Sequence, residues 1–292
     1  MRYVVGYTAN ARGREALDLA VALAKRQDAE LDLVLVLPQD SPFKAAYPPA
    51  PGFDRALQQQ AQSWLDEALA MVPAEVVARG QLRFAESEAE ALNAAAAELD
   101  AGLLVVGAAS NGLFKRFTVG STASSLLHSA QVPVALAPGG YQNTEPISRL
   151  SCGVGTRPGA DEVLGLALDT AARRALPLRL ISLLALDQDL DPGASGTLQE
   201  AARSYLEEKL RIESADRPPL GSPVEIVVAQ GRSIEQAVDA LAWQDGEVLL
   251  IGSSRLAQNR ALFLGSTAQR ILRALPVPMI VLPRGQQSEQ SY

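Results

Sequence analysis

The sequence predicts an α/β protein made of two repeated doubly wound domains, each a five-stranded parallel sheet with helices on both faces. The main observation is an internal duplication. An apolar run closed by Gly107 is followed by a polar loop and by Gly120-Ser-Thr-Ala, which opens a helical pattern. The same plan returns without a gap at Gly252 and Gly265. Self-similarity of this kind is the signature of a repeated structural unit, and alternating strand and helix patterns predict a parallel sheet covered on both faces.

Each half is predicted to contain five strands and four helices. In the first half, residues 2–7 and 31–37 are short apolar runs that are typical of buried strands. A helical pattern lies between them, and a second one covers residues 55–71. Residues 81–85 read as the third strand, followed by an alanine-rich helix that Ser87-x-x-Glu90 caps. Residues 233–236 offer the same capping pattern in the second half.

A Pro- and Gly-rich break at residues 138–146 divides the chain, and it predicts domains at 1–141 and 148–287. The last strand of each half, 134–137 and 279–282, is expected at a sheet edge, where an exposed apolar strand invites pairing. The two halves are therefore predicted to pack as an intrachain pseudo-dimer. Further homo-oligomerisation stays open.

The composition excludes several classes of function. A net charge of −7 argues against a nucleic-acid partner, which needs clustered Lys and Arg. No apolar run is long enough to cross a membrane, and the first residues enter a strand rather than a signal segment. The single cysteine, Cys152, excludes an internal disulfide. A cytoplasmic location is expected.

The repeated loop is the candidate site for an anion. Gly107 and Gly252 end strands, while Gly120-Ser121 and Gly265-Ser266 begin the following helices. At such helix starts, free N–H groups and the helix dipole favour a phosphate. A Gly-Ser pair before a helix can also serve only as an N-cap, without binding a ligand, and this alternative stays open.

At these residues the chain resembles the universal stress protein family in its tandem form. The resemblance implies the adenine nucleotide alpha hydrolase-like fold and a role in stress adaptation. Its ATP-binding members share Gly-x2-Gly-x9-Gly-[Ser/Thr] and an Asp after the first strand. This chain keeps the first and last glycines in both halves, but Ser110 and Arg255 replace the middle one. The Asp position falls on Thr8 and on Gly155.

The resemblance implies a set of nucleotide-contacting residues, with ATP, and Mg²⁺ accompanying it, as the ligand. The first half is favoured, because its loop keeps small residues and Thr8 can hydrogen-bond a ribose. The implied residues are Thr8, Val106, Gly107, Ser110, Gly120, Ser121, Thr122, Gly252, Arg255, Gly265, Ser266 and Thr267.

Enzymatic activity is left open and is expected to be at most slow ATP hydrolysis, because no general base stands beside the loop. No metal-ligand cluster or catalytic triad pattern is visible in the sequence. The alternative function is a nucleotide-free scaffold of the same fold that has lost ATP binding. A flavoprotein or an ATP-pyrophosphatase on a related fold is a third, remote possibility.

Overall fold

Ten strands form one continuous sheet. The computed structural model describes residues 1–25, 27–39, 53–110, 117–118, 120–155, 160–185, 192–253, 262 and 264–283. The strands of the first half are β1 (Arg2–Gly6), β2 (Glu30–Pro38), β3 (Ala78–Ala85), β4 (Leu103–Gly107) and β7 (Val134–Ala137). Those of the second half are β8 (Arg149–Gly153), β9 (Leu178–Ala185), β10 (Glu225–Gly231), β11 (Glu247–Gly252) and β12 (Met279–Leu282). The strand order is β10-β9-β8-β11-β12-β7-β4-β1-β2-β3, and all pairs within a half are parallel.

Eight described helices cover the two faces of this sheet. They are α1 (Ala11–Lys25), α2 (Phe53–Ala70), α3 (Glu88–Glu98), α4 (Ser121–Ser129), α5 (Ala160–Arg174), α6 (Pro192–Ser214), α7 (Ile234–Asp239) and α8 (Ser266–Ala274). Buried residues of α1, α2, α5 and α6 belong to the core on one face, and those of α3, α4, α7 and α8 to the core on the other. The predicted doubly wound architecture, with five sheet strands and four helices in each half, is confirmed for the part of the chain that the structure describes.

The two halves join through their last strands. β7 and β12 run antiparallel, with Ala135 opposite Ile280 and Val134 opposite Val281, and every residue of both strands is buried. The N–H of Leu262 also donates to the carbonyl of Ala130 in the other half, at 3.1 Å. The intrachain pairing of the halves that the sequence predicts is therefore present as a shared sheet.

The connection between the halves packs onto the sheet rather than standing away from it. Gly140, at a φ of 81° that favours glycine, donates its N–H to Glu15 Oε1 of α1 at 2.6 Å. Burial raises the pKa of the Glu15 carboxyl, and the Gly140 hydrogen bond opposes that rise. Further along, Ile147 is buried in the core beneath α1 and α5. The connection thus fixes the position of α1 relative to the junction.

Serine caps confirm two of the predicted helix starts. Ser87 Oγ accepts from the N–H of Glu90 at 3.4 Å, and Ser233 Oγ accepts from that of Gln236 at 3.3 Å. These bonds satisfy N–H groups that a helix start otherwise leaves unpaired. None of the described helices is long and apolar enough to span a membrane.

Candidate functional site

A short hairpin brings the two repeated glycines of the first half together. β5 (Ala109–Ser110) pairs antiparallel with β6 (Phe117–Thr118), so that Ala109 lies opposite Thr118. Gly107 stands two residues before this pair and Gly120 two residues after it. The end of β4 and the start of α4 therefore meet at the base of the hairpin. The sequence predicted only a polar loop here.

Gly107 is required by packing as well as by its place at the strand end. A Cβ on Gly107 would lie 2.2 Å from the carbonyl oxygen of Arg12, in the first turn of α1. A Cβ on Gly13 would lie 1.9 Å from the carbonyl oxygen of Thr8. These contacts place the first turn of α1 against both the end of β4 and the loop after β1. Thr8 and Gly107 thus lie on two sides of this turn, at the carboxyl edge of the sheet between β1 and β4, where the strand order reverses and where doubly wound sheets have their ligand-binding crevice.

Asn10 organises the loop after β1, and the sequence reading did not single it out. Its Oδ1 accepts from the N–H of Arg12 at 3.0 Å and of Gly13 at 3.3 Å, which caps α1. Thr8 Oγ1 also donates to Asn10 Oδ1, at 3.0 Å. Because the Thr8 hydroxyl donates its only proton to Asn10, its oxygen can only accept a hydrogen bond from a ligand. The signal that could have revealed Asn10 is a capping residue type just before a helical pattern.

The N-terminus of α4 is a glycine cap without a side-chain hydrogen bond. Gly120 is extended, with φ −64° and ψ 163°, and caps the helix only through its backbone. Ser121 is therefore the first helical residue, and it is exposed. Thr122 donates its hydroxyl to Glu88 Oε2 of α3, at 2.6 Å. The helix start offers N–H groups to an anion, but a carboxylate stands beside its first turn.

The second half repeats this helix start with different surroundings. Gly265 caps α8 in the same extended conformation, again without a side-chain bond. In place of the Thr122–Glu88 pair, Arg270 donates to both oxygens of Glu235, at 2.9 and 2.8 Å. This bidentate bond lowers the pKa of Glu235 to about 2. The Arg270 guanidinium is thereby bound to Glu235 of α7.

Gly155 holds the position of the second half that corresponds to Thr8, two residues after the end of the half's first strand. Among the described residues, and apart from its chain neighbours, no atom lies within 4 Å of a Cβ built on Gly155. Tyr205 of α6 donates its hydroxyl to the carbonyl of Gly155 at 3.5 Å. At Gly252, a Cβ would meet Val163 Cγ2 at 2.6 Å, so this glycine also serves the packing of α5.

The remaining predicted site residues fall into three groups. Val106 is buried in the core beneath α3 and α4, so its side chain supports the crevice without lining it. Ser266 and Thr267 are exposed in the first turn of α8. Ser110 is described only as part of β5, and Arg255 lies outside the described residues. Cys152 is buried, and burial raises the pKa of its thiol to about 12.

Fold and site together define a tandem α/β protein with a pair of glycines in each half, one at the end of a strand and one at the start of the following helix. The profile of the Universal stress protein family matches residues 1–138 and again residues 147–283. The chain belongs to the universal stress protein family, and it carries two copies of the family's domain.

Relatives match along nearly the whole chain. A universal stress protein of Mycobacterium tuberculosis is 33% identical over 305 residues, covering 97% of this chain and 100% of the relative. One from Mycolicibacterium smegmatis is 26% identical over 298 residues, covering 96% of this chain and 97% of the relative. A solved universal stress protein from Archaeoglobus fulgidus superposes with a TM-score of 0.66 at 16% identity, covering 97% and 98% of the two chains. That structural likeness shows the fold.

Proposed function

We propose that the first half binds an adenine nucleotide, ATP, and that the chain acts as a nucleotide-responsive regulatory module in stress adaptation in the cytoplasm. The observation that carries the proposal is the start of α4. Its cap, Gly120, supplies no side-chain hydrogen bond to the first N–H groups of the helix, and Gly120 and Gly107 follow and precede the paired strands β5 and β6. A helix start of this kind favours the phosphates of a nucleotide. The proposed domains span residues 1–141 and 148–287.

Glu88 sets a condition on this binding. Its carboxylate lies 2.6 Å from the Thr122 hydroxyl, where it repels the negative charge of a bare triphosphate. Mg²⁺ would offset that repulsion, because it neutralises part of the phosphate charge and accepts oxygen ligands. We therefore propose that the magnesium complex of ATP is bound more tightly than free ATP. Replacing Glu88 with Gln should reduce this difference.

The two halves are proposed to differ. The second half has Gly155 where the first has Thr8, and its Tyr205 hydroxyl contacts the Gly155 carbonyl. We propose that this half contributes the shared sheet and binds nucleotide weakly or not at all. These features also favour the second candidate function, a nucleotide-free scaffold, which applies to the whole chain if the first half proves empty.

Calorimetric titration of the purified protein with ATP, with and without Mg²⁺, tests the proposal. Gly120→Val should abolish binding, because a branched side chain would crowd the helix start where phosphate is expected. Gly265→Val is the matched control at the equivalent cap and should leave binding intact. Absence of binding heat would remove the nucleotide function and leave the scaffold. Loss of binding in Gly265→Val with retention in Gly120→Val would assign the site to the other half.

A further inference from the structure

We propose that the outer edge of β3 accepts an extended segment of a partner protein as an additional strand, with acidic and apolar side chains alternating along it. β3 and β10 are the two outermost strands of the ten-stranded sheet. An uncovered outer strand presents main-chain donors and acceptors that a further strand can pair with. This inference is independent of nucleotide binding, since it concerns the opposite flank of β2 from the crevice.

The β10 edge is closed by side chains of α6. Arg203 Nη1 donates to the carbonyl of Ile226 at 3.3 Å, and Gln199 Nε2 donates to that of Val228 at 3.5 Å. The spacing fits, because four helical residues rise about 6 Å and two strand residues about 6.6 Å. Gln230 in turn accepts from the hydroxyl of Ser195 at 3.2 Å. A partner strand would have to displace these bonds.

The duplication identifies the corresponding residues on the β3 side. Leu65 of α2 and Leu206 of α6 are both fully buried, and both follow an Ala-x-Ser-aromatic run. Counting back the same number of residues from each pairs Gln58 with Gln199 and Gln62 with Arg203. Gln62, however, donates to Asp66 of its own helix at 2.9 Å. Of the two residues that bond to β10 carbonyls, Arg203 is therefore replaced in the first half by a glutamine that bonds within its own helix, while Gln199 has an identical counterpart in Gln58.

The outward main-chain groups of β3 follow from its pairing with β2. The carbonyls of Val77 and Ala85 point inward, because they accept from Leu31 and Gln39. Carbonyls alternate along a strand, so the even-numbered residues direct theirs to the outside. Among the residues that the structure describes, no side chain bonds to these groups. They belong to Ala78, Gly80, Leu82 and Phe84.

A cleft beside this edge provides a place for an apolar side chain. It has a volume of about 240 Å³ and lies between the start of α2 and the carboxyl ends of β2 and β3. Leu37, Leu57 and Phe84 form its apolar walls, and Gln58 stands among its polar lining. Phe84 is 49% exposed. Added strands gain specificity when alternate side chains enter such pockets.

Two arginines on the other face of β3 favour a partner strand that carries acidic side chains. Arg79 is paired with Glu30 at 3.5 Å, but its side chain is 56% exposed. Arg83 bonds Glu98 at 2.7 Å. Each guanidinium has five N–H donors, so a carboxylate on an added strand can join without displacing these partners. A second copy of β3 would instead gather four arginines on one face, which disfavours self-pairing.

The probe is an acetylated, amidated eight-residue peptide in which Glu alternates with Val and Ile, carrying a fluorescent label. Binding is followed by fluorescence anisotropy and mapped by amide hydrogen exchange. We expect the peptide to bind and to protect the amides of Gly80, Leu82 and Phe84. The same peptide with Lys in place of Glu, or with alternate amides N-methylated, should bind on the order of tenfold more weakly, because charge pairs or main-chain bonds are lost.

The matched variants exchange the corresponding residues Gln62 of α2 and Arg203 of α6. Gln62→Arg should close the β3 edge as Arg203 closes β10, and so weaken peptide binding on the order of tenfold. In the Arg203→Gln variant, the peptide should also protect amides of β10 from hydrogen exchange. The proposal is overturned by absence of peptide binding, by protection that avoids β3, or by unchanged affinity in Gln62→Arg. A dimer in sedimentation that Gln62→Arg dissociates would also overturn it, because the edge would then belong to a second copy.

Discussion

Replacing Glu247 with Gln should destabilise the protein more than any exposed substitution, because this carboxylate binds the buried Arg179 and the partly buried Arg149. Glu247 begins β11 and has no exposed surface. Its Oε1 accepts from Arg179 Nη2 and its Oε2 from Arg149 Nη2, each at 2.5 Å. The Ser151 hydroxyl also donates to Oε1, and the N–H of Gln244 donates to Oε2 at 3.1 Å. The carboxylate is thus fully used by four donors.

The magnitude follows from what the substitution leaves behind. Arg179 is 2% exposed, and burial already lowers its pKa while Glu247 opposes that effect. Removing one partner of a buried ion pair costs about 3–5 kcal/mol. Counting hydrogen bonds gives a similar figure, since two bonds between charged groups contribute about 1.5–3 kcal/mol each. The introduced glutamine cannot offset this loss, because its amide group would direct N–H donors at a guanidinium. We therefore expect a loss of about 3–5 kcal/mol in the free energy of unfolding.

Urea unfolding measures this loss, and Trp243 provides a local fluorescence signal. The Arg179 guanidinium carbon lies 4.8 Å from the centre of the Trp243 ring, so a displaced arginine should also change the native emission. Glu225→Gln is the control: its Oε2 lies 3.8 Å from Arg149 Nη1 and its side chain is 55% exposed. It should cost about 0–1 kcal/mol. Equal losses in the two variants would refute the assignment of a structural role to the buried pair.

Two further predictions concern a glycine and an ion pair. Gly107→Ala should destabilise the first half by about 1–3 kcal/mol, because its Cβ would lie 2.2 Å from the Arg12 carbonyl oxygen. Gly155→Ala is the control, since its Cβ would meet no described residue within 4 Å beyond its chain neighbours, and it should leave the thermal unfolding midpoint unchanged or slightly raised. Equal effects of the two substitutions on the midpoint would contradict the packing argument. The hydrogen bond from Arg270 lowers the pKa of Glu235 from 4.5 to about 2, so the stability it contributes is present above pH 4.5 and is lost as the pH falls toward 2. Glu235→Gln should therefore be less stable than the native chain at neutral pH, and urea midpoints should converge as the pH is lowered through that window; a difference that does not change with pH would contradict the linkage.

The sequence predicted the features that local pattern determines. Gly107 and Gly252 mark strand ends because each precedes a change from an apolar run to polar residues. The Ser87 cap is a local signal as well, since donor and acceptor lie three residues apart. The pairing of the two halves through their last strands could be predicted, because both strands are apolar and would otherwise be exposed edges; their antiparallel direction is seen only in the structure.

Features built from distant residues could not be predicted in this way. Arg179 alternates with leucines in β9, which reads as an arginine facing solvent. It is buried because Glu247, far along the chain, is brought beside it by the strand order. The β5–β6 hairpin has only two residues in each strand, so no periodicity reveals it. Gln199 and Arg203 likewise read as a solvated helix face until β10 is placed beneath them.

The duplication explains how the two halves can differ at their ligand and edge positions while sharing one fold. The β7–β12 ladder buries the last strand of each half against the other, so a half that binds nothing still stabilises its neighbour. That contribution depends on strand pairing and apolar burial at Ala135 and Ile280. It does not depend on Thr8 or Gly155. The side chains at the crevice, at the outer edge and in the buried polar network can therefore change in one half alone, because none of them belongs to the junction that holds the molecule together.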